Sequence, residues 1–260
     1  MPERDYMKFL GTAGARFVTL RQLRSSGGVW YALEGFQFLL DPGPGTLVRC
    51  ASSRPRLDPL ALQALVLSHN HLDHSGDINV MIEALTEGGF KKRGRVYCPA
   101  QALEADPVIL GYLRDFVQEF VVLKEGGQYQ MAPNLVLRTP LRHRHPAETY
   151  GLLLETPRLR ICHLVDTEYF PELAEAYAGA AILILHVVRL KTAEKDSREI
   201  QHLTLDDARR LITDIRPRLA ILTHFGMTML RAKPWELARQ LSQETGVEVH
   251  AAGDGTRFEL

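Results

Sequence analysis

The sequence predicts an α/β protein, and three observations predict it. Its opening is β-rich, with residues 9–11 and 29–33 reading as strands and Glu34-Gly35 turning the chain into a third apolar run at 36–41. Just past a histidine-rich stretch at 69–74, Ile78, Met81, Ile82 and Leu85 recur at helical spacing. The last third then alternates helix with strand.

Asp41-Pro42-Gly43-Pro44-Gly45-Thr46 ends the third strand, because proline removes a ladder donor and glycine permits tight turns. The mostly apolar run 62–67 predicts a strand that delivers the histidine-rich stretch, and a helix over 77–85 leaves it. In the middle, 95–98 reads as a strand and 108–122 as mostly helical. There Tyr112, Phe116 and Phe120 recur every fourth residue, as in a core or subunit contact. Strands resume at 135–137, 150–155, 159–165 and 181–185. Thr204 with Asp207 makes a capping-box-like start to a helix whose apolar face is Leu205, Ala208, Leu211, Ile212 and Ile215. A strand at 219–222, a helix at 234–245 ended by Gly246, and a strand at 247–251 complete the chain.

Composition narrows the classes. Basic and acidic residues number 31 each and the pI is about 7.2, so no overall basic field holds nucleic acid, although a local basic patch is left open. The N-terminus Met-Pro-Glu-Arg-Asp-Tyr-Met is charged and lacks the apolar core of a signal peptide, and no later run is long enough to span a bilayer. A soluble cytoplasmic protein with no membrane partner is expected. Cys50, Cys98 and Cys162 form no C-x-x-C pair, which argues against a disulfide framework or a cysteine zinc site.

The chemistry concentrates in His69-Asn70-His71-Leu72-Asp73-His74, three imidazoles and one carboxylate in six residues. Imidazole nitrogen and carboxylate oxygen suit a divalent metal such as zinc. Alternate residues of an extended segment point the same way, so His69 and His71 can share one ion, while Asp73 and His74, where the chain turns, face a second.

This His-x-His-x-Asp-His pattern resembles the signature of the metallo-β-lactamase superfamily, a four-layer αββα sandwich with a one- or two-metal site at the edge between its sheets. The family's other ligand positions are matched in order by His145 with Gly151 six residues on, by Asp166 in His163-Leu164-Val165-Asp166-Thr167, and by His224 in Leu222-Thr223-His224-Phe225-Gly226. The resemblance implies one metal on His69, His71 and His145, a second on Asp73, His74 and His224, and Asp166 bridging them. Because these positions run from 69 to 224, the halves must close on a shared site, and a single metallo-β-lactamase-like domain over residues 1–260 is expected.

The implied cofactors are two divalent metal ions, zinc first, with manganese or iron accepted by the same ligand mix. Such a pair can hold a hydroxide, lower the pKa of that water and neutralise charge on an attacked phosphorus or carbonyl, so the resemblance implies a metal-dependent hydrolase. Acid-rich variants of the fold replace histidines to hold redox-active iron, and His71 favours the hydrolytic kind. His143 competes with His145 for the third ligand position, but the six-residue step to Gly151 favours His145. His163 alternates with Ile161 and Val165 and reads as a satisfied structural histidine, and His250 takes no role.

Phe9-Leu10-Gly11-Thr12, Arg24-Ser25-Ser26, the loop 41–46, the His145-to-Gly151 step and Thr223-His224-Phe225 resemble ribonuclease Z and its phosphodiesterase relatives. They resemble glyoxalase II and the antibiotic hydrolases less. His202-Leu203-Thr204 resembles the ribonuclease Z segment whose histidine protonates the leaving group, so His202 joins Asp73 as a candidate catalytic residue; a surface-loop histidine is the plain alternative.

Three departures point away from tRNA. Only twenty residues separate His145 from Asp166, which leaves no room for the tRNA-binding arm; His186-Val187-Val188-Arg189 lacks the family's glutamate; and Pro44 and Met227-Thr228-Met229 replace other ribonuclease Z features. The expected substrate is a small, cyclic or nucleotide phosphodiester. The rivals are a carboxyl-ester, lactone or thioester hydrolase on the same metals, a tRNA 3′-processing endonuclease, and a metal-stabilised scaffold. The resemblance also allows a homodimer.

Overall fold

The computed structural model describes residues 5–14, 16–104, 107–191 and 201–260. In chain order the elements are β1 (Tyr6–Phe9), α1 (Phe17–Leu20), β2 (Val29–Leu33), β3 (Phe36–Leu40), α2 (Thr46–Ser52), β4 (Ala64–Val66), α3 (Leu72–Ser75), α4 (Ile78–Thr86), β5 (Arg95–Pro99) and β6 (Glu119–Leu123). There follow β7 (Gly127–Ala132), β8 (Leu135–Thr139), β9 (Leu152–Glu155), β10 (Arg160–Leu164), α5 (Glu172–Ala176), β11 (Ile182–Arg189), β12 (Leu203–Thr204), α6 (Leu205–Ile215), β13 (Leu219–Thr223), α7 (Met227–Arg231), α8 (Pro234–Thr245), β14 (Glu248–Ala251) and β15 (Arg257–Glu259). The chain forms two compact units.

The first unit comprises the residues up to Thr12, Arg24–Lys124 and Gly253–Leu260. Its sheet runs β15-β1-β2-β3-β4-β5-β6. From β15 to β3 the neighbours are antiparallel, and from β3 to β6 they are parallel. The short strand β4 is buried along its whole length, as expected of a parallel strand covered on both faces. Ile78, Met81, Ile82 and Leu85 place the spacing seen in the sequence on one buried face of α4, against Leu65, Val96, Ile109 and Val117. Asp77 also serves a distant helix: its carboxylate accepts from Gly45 N at 3.1 Å and Leu47 N at 3.0 Å, satisfying the first turn of α2.

The predicted helix over 108–122 is absent. One 3₁₀ turn spans Gly111–Leu113, and Phe120, Val121 and Val122 lie in β6, paired with β5. An aromatic and β-branched run with a parallel neighbour prefers the ladder to a helix that its three aromatics alone suggest. Phe116 does pack partly against the core, with Tyr112 edge-on to it at 6.0 Å.

The second unit comprises Ala13–Leu23 and Glu125–Ala252. Its sheet runs β14-β13-β11-β10-β9-β8-β7, with β12 paired to β11. From β10 through β11 and β13 to β14 the neighbours are parallel, while from β7 to β10 they are antiparallel. The sequence pattern does not mark β7, whose Gln128 and Gln130 weaken its apolar alternation, or β15, which has three residues.

The capping box of α6 is complete: Thr204 Oγ1 accepts from Asp207 N at 3.2 Å, and Asp207 Oδ2 accepts from Thr204 N at 2.9 Å. Ala208, Leu211, Ile212 and Ile215 turn that helix onto a core shared with Leu183, Leu185, Leu222, Ala238 and Leu241. Burying a side chain such as Leu211 contributes about 1.5–3 kcal/mol. Among the described residues no helix is long and apolar enough to cross a membrane.

Candidate metal-binding residues

In the first unit β4 ends at Val66, and the chain passes through Ser68 and His69 into α3, which carries Asp73 and His74. The loop after β3 is the scaffold beneath them. Asp41 takes a left-handed conformation with φ of 52°, and its carboxylate accepts from Ser68 N at 2.7 Å, Ser68 Oγ at 2.7 Å and His74 Nδ1 at 2.8 Å. A Cβ on Gly43 would fall 2.0 Å from the backbone oxygens of Asp73 and Ser26, so this turn admits only glycine. Thr46 Oγ1 closes the loop by donating to Gly43 O at 2.7 Å.

These bonds fix protons. Ser68 gives its one hydroxyl proton to Asp41, so its oxygen receives the Nδ1 proton of His69 at 3.0 Å. The Asp41 carboxylate likewise holds the Nδ1 proton of His74. Both histidines therefore present the Nε2 lone pair. His69 Nε2 lies 3.1 Å from His71 Nδ1, and the His69 ring centroid lies 4.1 Å from that of His74. His74 Nε2 is 3.8 Å from Asp73 Oδ2. The unit thus gathers all four candidates of the motif. His69 is fully buried and His74 is 2% exposed, while His71 and Asp73 are half-buried.

In the second unit the parallel register makes the cluster. Leu164 pairs with Leu185 across β10 and β11, and His186 pairs with Thr223 across β11 and β13. Asp166 and His224, which follow β10 and β13, thereby meet His186 at the carboxyl ends of the strands, where open α/β sheets bind ligands. His224 has a φ of 58°, a costly conformation for histidine, and Gly14 makes room for it: a Cβ there would sit 2.3 Å from His224 O.

Asp166, 1% exposed, is ringed by imidazoles. Its Oδ1 lies 2.9 Å from His186 Nδ1 and 3.3 Å from His224 Nε2, and its Oδ2 lies 3.1 Å from His202 Nε2 and 4.0 Å from His145 Nε2. The Nδ1 of His145 donates to the carbonyl of Gln201 at 3.0 Å, so its Nε2 also presents a lone pair. Burial and the neighbouring His224 push the pKa of His186 well below the ordinary value. His186 is therefore neutral, with Nδ1–H on Asp166 and Nε2 open to His163 Nε2 at 3.0 Å.

Several histidines stand apart from this cluster or extend it. His143 turns to Tyr177, with its Nε2 2.9 Å from the hydroxyl, and burial pushes its pKa down to about 4. A Cβ at Gly151 would lie 2.2 Å from the Tyr177 hydroxyl and 2.3 Å from His143 Nε2, so a glycine there makes room for the His143–Tyr177 contact. His250 is on β14, donating to Glu248 at 2.7 Å. The chain from His163 through His186 to Asp166 was not anticipated as a unit. Its available signal was a lone histidine inside each of two otherwise mostly apolar strands, β10 and β11.

The residues fit a divalent cation. A ligating histidine characteristically has its second nitrogen held by a carboxylate, carbonyl or hydroxyl, which sets the tautomer and orients the ring. His69, His74 and His145 are each held this way by Ser68, Asp41 and Gln201. Residues 37–225 match the beta-lactamase superfamily domain.

The chain belongs to the β-lactamase superfamily. It is 33% identical over 258 residues to the uncharacterized protein MJ1374 of Methanocaldococcus jannaschii, covering 97% of this chain and 94% of that one. Its fold is that of solved metallo-β-lactamase proteins. YhfI of Bacillus subtilis superposes with a TM-score of 0.77 at 18% identity, over 99% of this chain and all of the other. A diphosphatase of the PhnP family gives 0.72 at 18% identity over 99% and 98% of the two chains, and the human short-form tRNase Z gives 0.72 at 19% over 98% of each.

Proposed function

We propose that the protein is a metal-dependent phosphodiesterase acting on a small, cyclic or nucleotide phosphodiester. The reading rests on one observation above the others: three candidate ligand histidines have their Nδ1 protons held by oxygen acceptors, so their Nε2 lone pairs are presented to a cation. His69, His71, Asp73, His74, His145, Asp166 and His224 are the proposed ligands of two divalent ions, zinc first and manganese or iron as substitutes. Such ions, when bound, act as Lewis acids on a phosphoryl oxygen and on the attacking water.

The chain's own groups do the rest. Asp41, Ser68 and the Gln201 carbonyl hold tautomers, His186 orients the Asp166 carboxylate, and His202 delivers the proton to the departing oxygen. In this structure the Nε2 of His202 donates to Asp166 at 3.1 Å, so the transferable proton sits among the proposed ligands.

The phosphorus chemistry is supported by two structural neighbours, one described as a diphosphatase and the other as a tRNase Z. A small substrate is supported by the segment from His145 to Asp166, which is used for β9 and β10 and carries no extra arm. The proposed setting is the cytoplasm, as a single functional domain and with a homodimer compatible with the family.

The test is the initial rate of bis(p-nitrophenyl) phosphate hydrolysis by zinc- or manganese-loaded protein, beside Asp73→Ala. Metal-dependent turnover that disappears in the variant is expected. Turnover confined to carboxyl-ester, lactone or thioester substrates would replace this reading, and fully metallated protein inert on every class would make it a scaffold.

A further inference from the structure

Apart from the candidate ligands, the first unit holds a cavity of about 250 Å³ with a basic lining. Lys8 of β1 is 5% exposed, and its Nζ donates to Arg54 O at 3.1 Å. Arg49 of α2 uses its Nε on Leu10 O at 3.0 Å, and Arg54 gives one terminal nitrogen to Ser52 O and Ser53 O at 3.2 and 2.9 Å. All these acceptors are neutral carbonyls, and among the described residues no carboxylate pairs with any of the three cations. Carboxylates on neighbouring segments are committed elsewhere. Asp254 accepts from Thr12 and Ser25, Glu259 pairs with Arg257, and Asp77 caps α2. The hydroxyl of Ser53, a residue 9% exposed that also lines the cavity, is buried without a hydrogen-bond partner.

Three like charges at one hollow, one of them buried, oppose folding unless something answers them. Burial, with Arg257 and Arg49 behind it, lowers the Lys8 pKa. An ammonium, two guanidinium groups with unused N–H donors and an unpartnered hydroxyl match a compact anion bearing several acceptor oxygens. The volume falls below that of pockets for drug-sized ligands. We propose that this cavity is an anion site, independent of the metal ligands, that takes a phosphate group, either as free phosphate or as the head of a small phosphomonoester.

Equilibrium dialysis of labelled inorganic phosphate against the metal-loaded protein, at constant ionic strength in chloride, tests the site. Saturable binding is expected that Arg49→Gln and Lys8→Met weaken about tenfold or more, the loss of one charge-assisted bond. Ser53→Ala, which removes no hydrogen bond, and Arg54→Gln, whose two carbonyl contacts are to its own neighbours Ser52 and Ser53, should weaken it several-fold and carry the test if the first two fail to fold. Ser53→Ala should unfold no more easily than the parent without phosphate. Asp73→Ala should retain the binding, because the site does not use the metals. Glycerol 3-phosphate that displaces the label identifies a monoester site, and failure to displace it confines the site to free phosphate. The proposal is overturned if the parent binds no phosphate saturably, if all four cavity variants bind as the parent does, or if Asp73→Ala abolishes binding. Each result is independent of whether the metal centre hydrolyses diesters.

Discussion

In the first unit the candidate ligands His69, His71, Asp73 and His74 come from six consecutive residues, whereas in the second His145, Asp166 and His224 are spread from 145 to 224. The supports differ accordingly. The contiguous set rests on one loop, in which the Asp41 carboxylate reaches both Ser68 and His74 and Gly43 lets the Asp73 backbone approach. The dispersed set rests on strand register, since Asp166, His186 and His224 meet because β10, β11 and β13 run parallel. A local motif therefore depends on a few hydrogen bonds, and a dispersed one on the integrity of a whole sheet.

The sharpest way to break that comparison is Asp166→Ala, which removes the group that four imidazoles of the second unit approach. Metal content by plasma mass spectrometry should fall, and diester hydrolysis should drop by more than the roughly 10–100-fold typical of an outer partner. A parent-like metal content would show that the dispersed set binds no ion. His202→Ala comes next: metal content stays, while the rate on a diester with a poor leaving group falls about 10²–10⁴-fold, and far less with a p-nitrophenyl ester. Equal rates on both substrates would dismiss His202 as the proton donor.

A third effect belongs to the second unit alone. The folded pKa of His143, about 4, lies below the ordinary 6.5 because burial disfavours the charged ring. The unfolded state then binds the proton more readily, so this stability is full above pH 6.5 and is lost as the pH falls through about 4. The loss amounts to about 3 kcal/mol as an upper figure. Urea titrations of the parent and His143→Gln across that window should converge at low pH; parallel curves would remove His143 from the account. Smallest, and most direct for the comparison, is a matched pair: Asp41→Asn in the first unit and His186→Gln in the second. Each should weaken metal binding about 10–100-fold by loosening a ligand it orients, read by competition with a chromophoric chelator.

How much was visible beforehand follows the same division. The helix 78–86 and the helix 234–245 with its Gly246 cap were legible because apolar spacing and capping chemistry are local. The segment 108–122 was misread as helix because its aromatic spacing is local too, whereas the pairing of β6 with β5 is not. His69 to His74 announced themselves by density. His186 and His163 did not, since one histidine in an apolar strand has the appearance of an ordinary core residue until its neighbours in the sheet are known.

The sequence by itself determined the family, the candidate ligands and the turns that only glycine can make, because each is written in residues a few positions apart. Tertiary structure alone decided which nitrogen His69, His74 and His145 present, that His186 and His163 stand behind Asp166, and that Lys8, Arg49 and Arg54 converge on one cavity. Those facts depend on hydrogen-bond partners and burial, which belong to residues brought together across a sheet and are invisible along the chain.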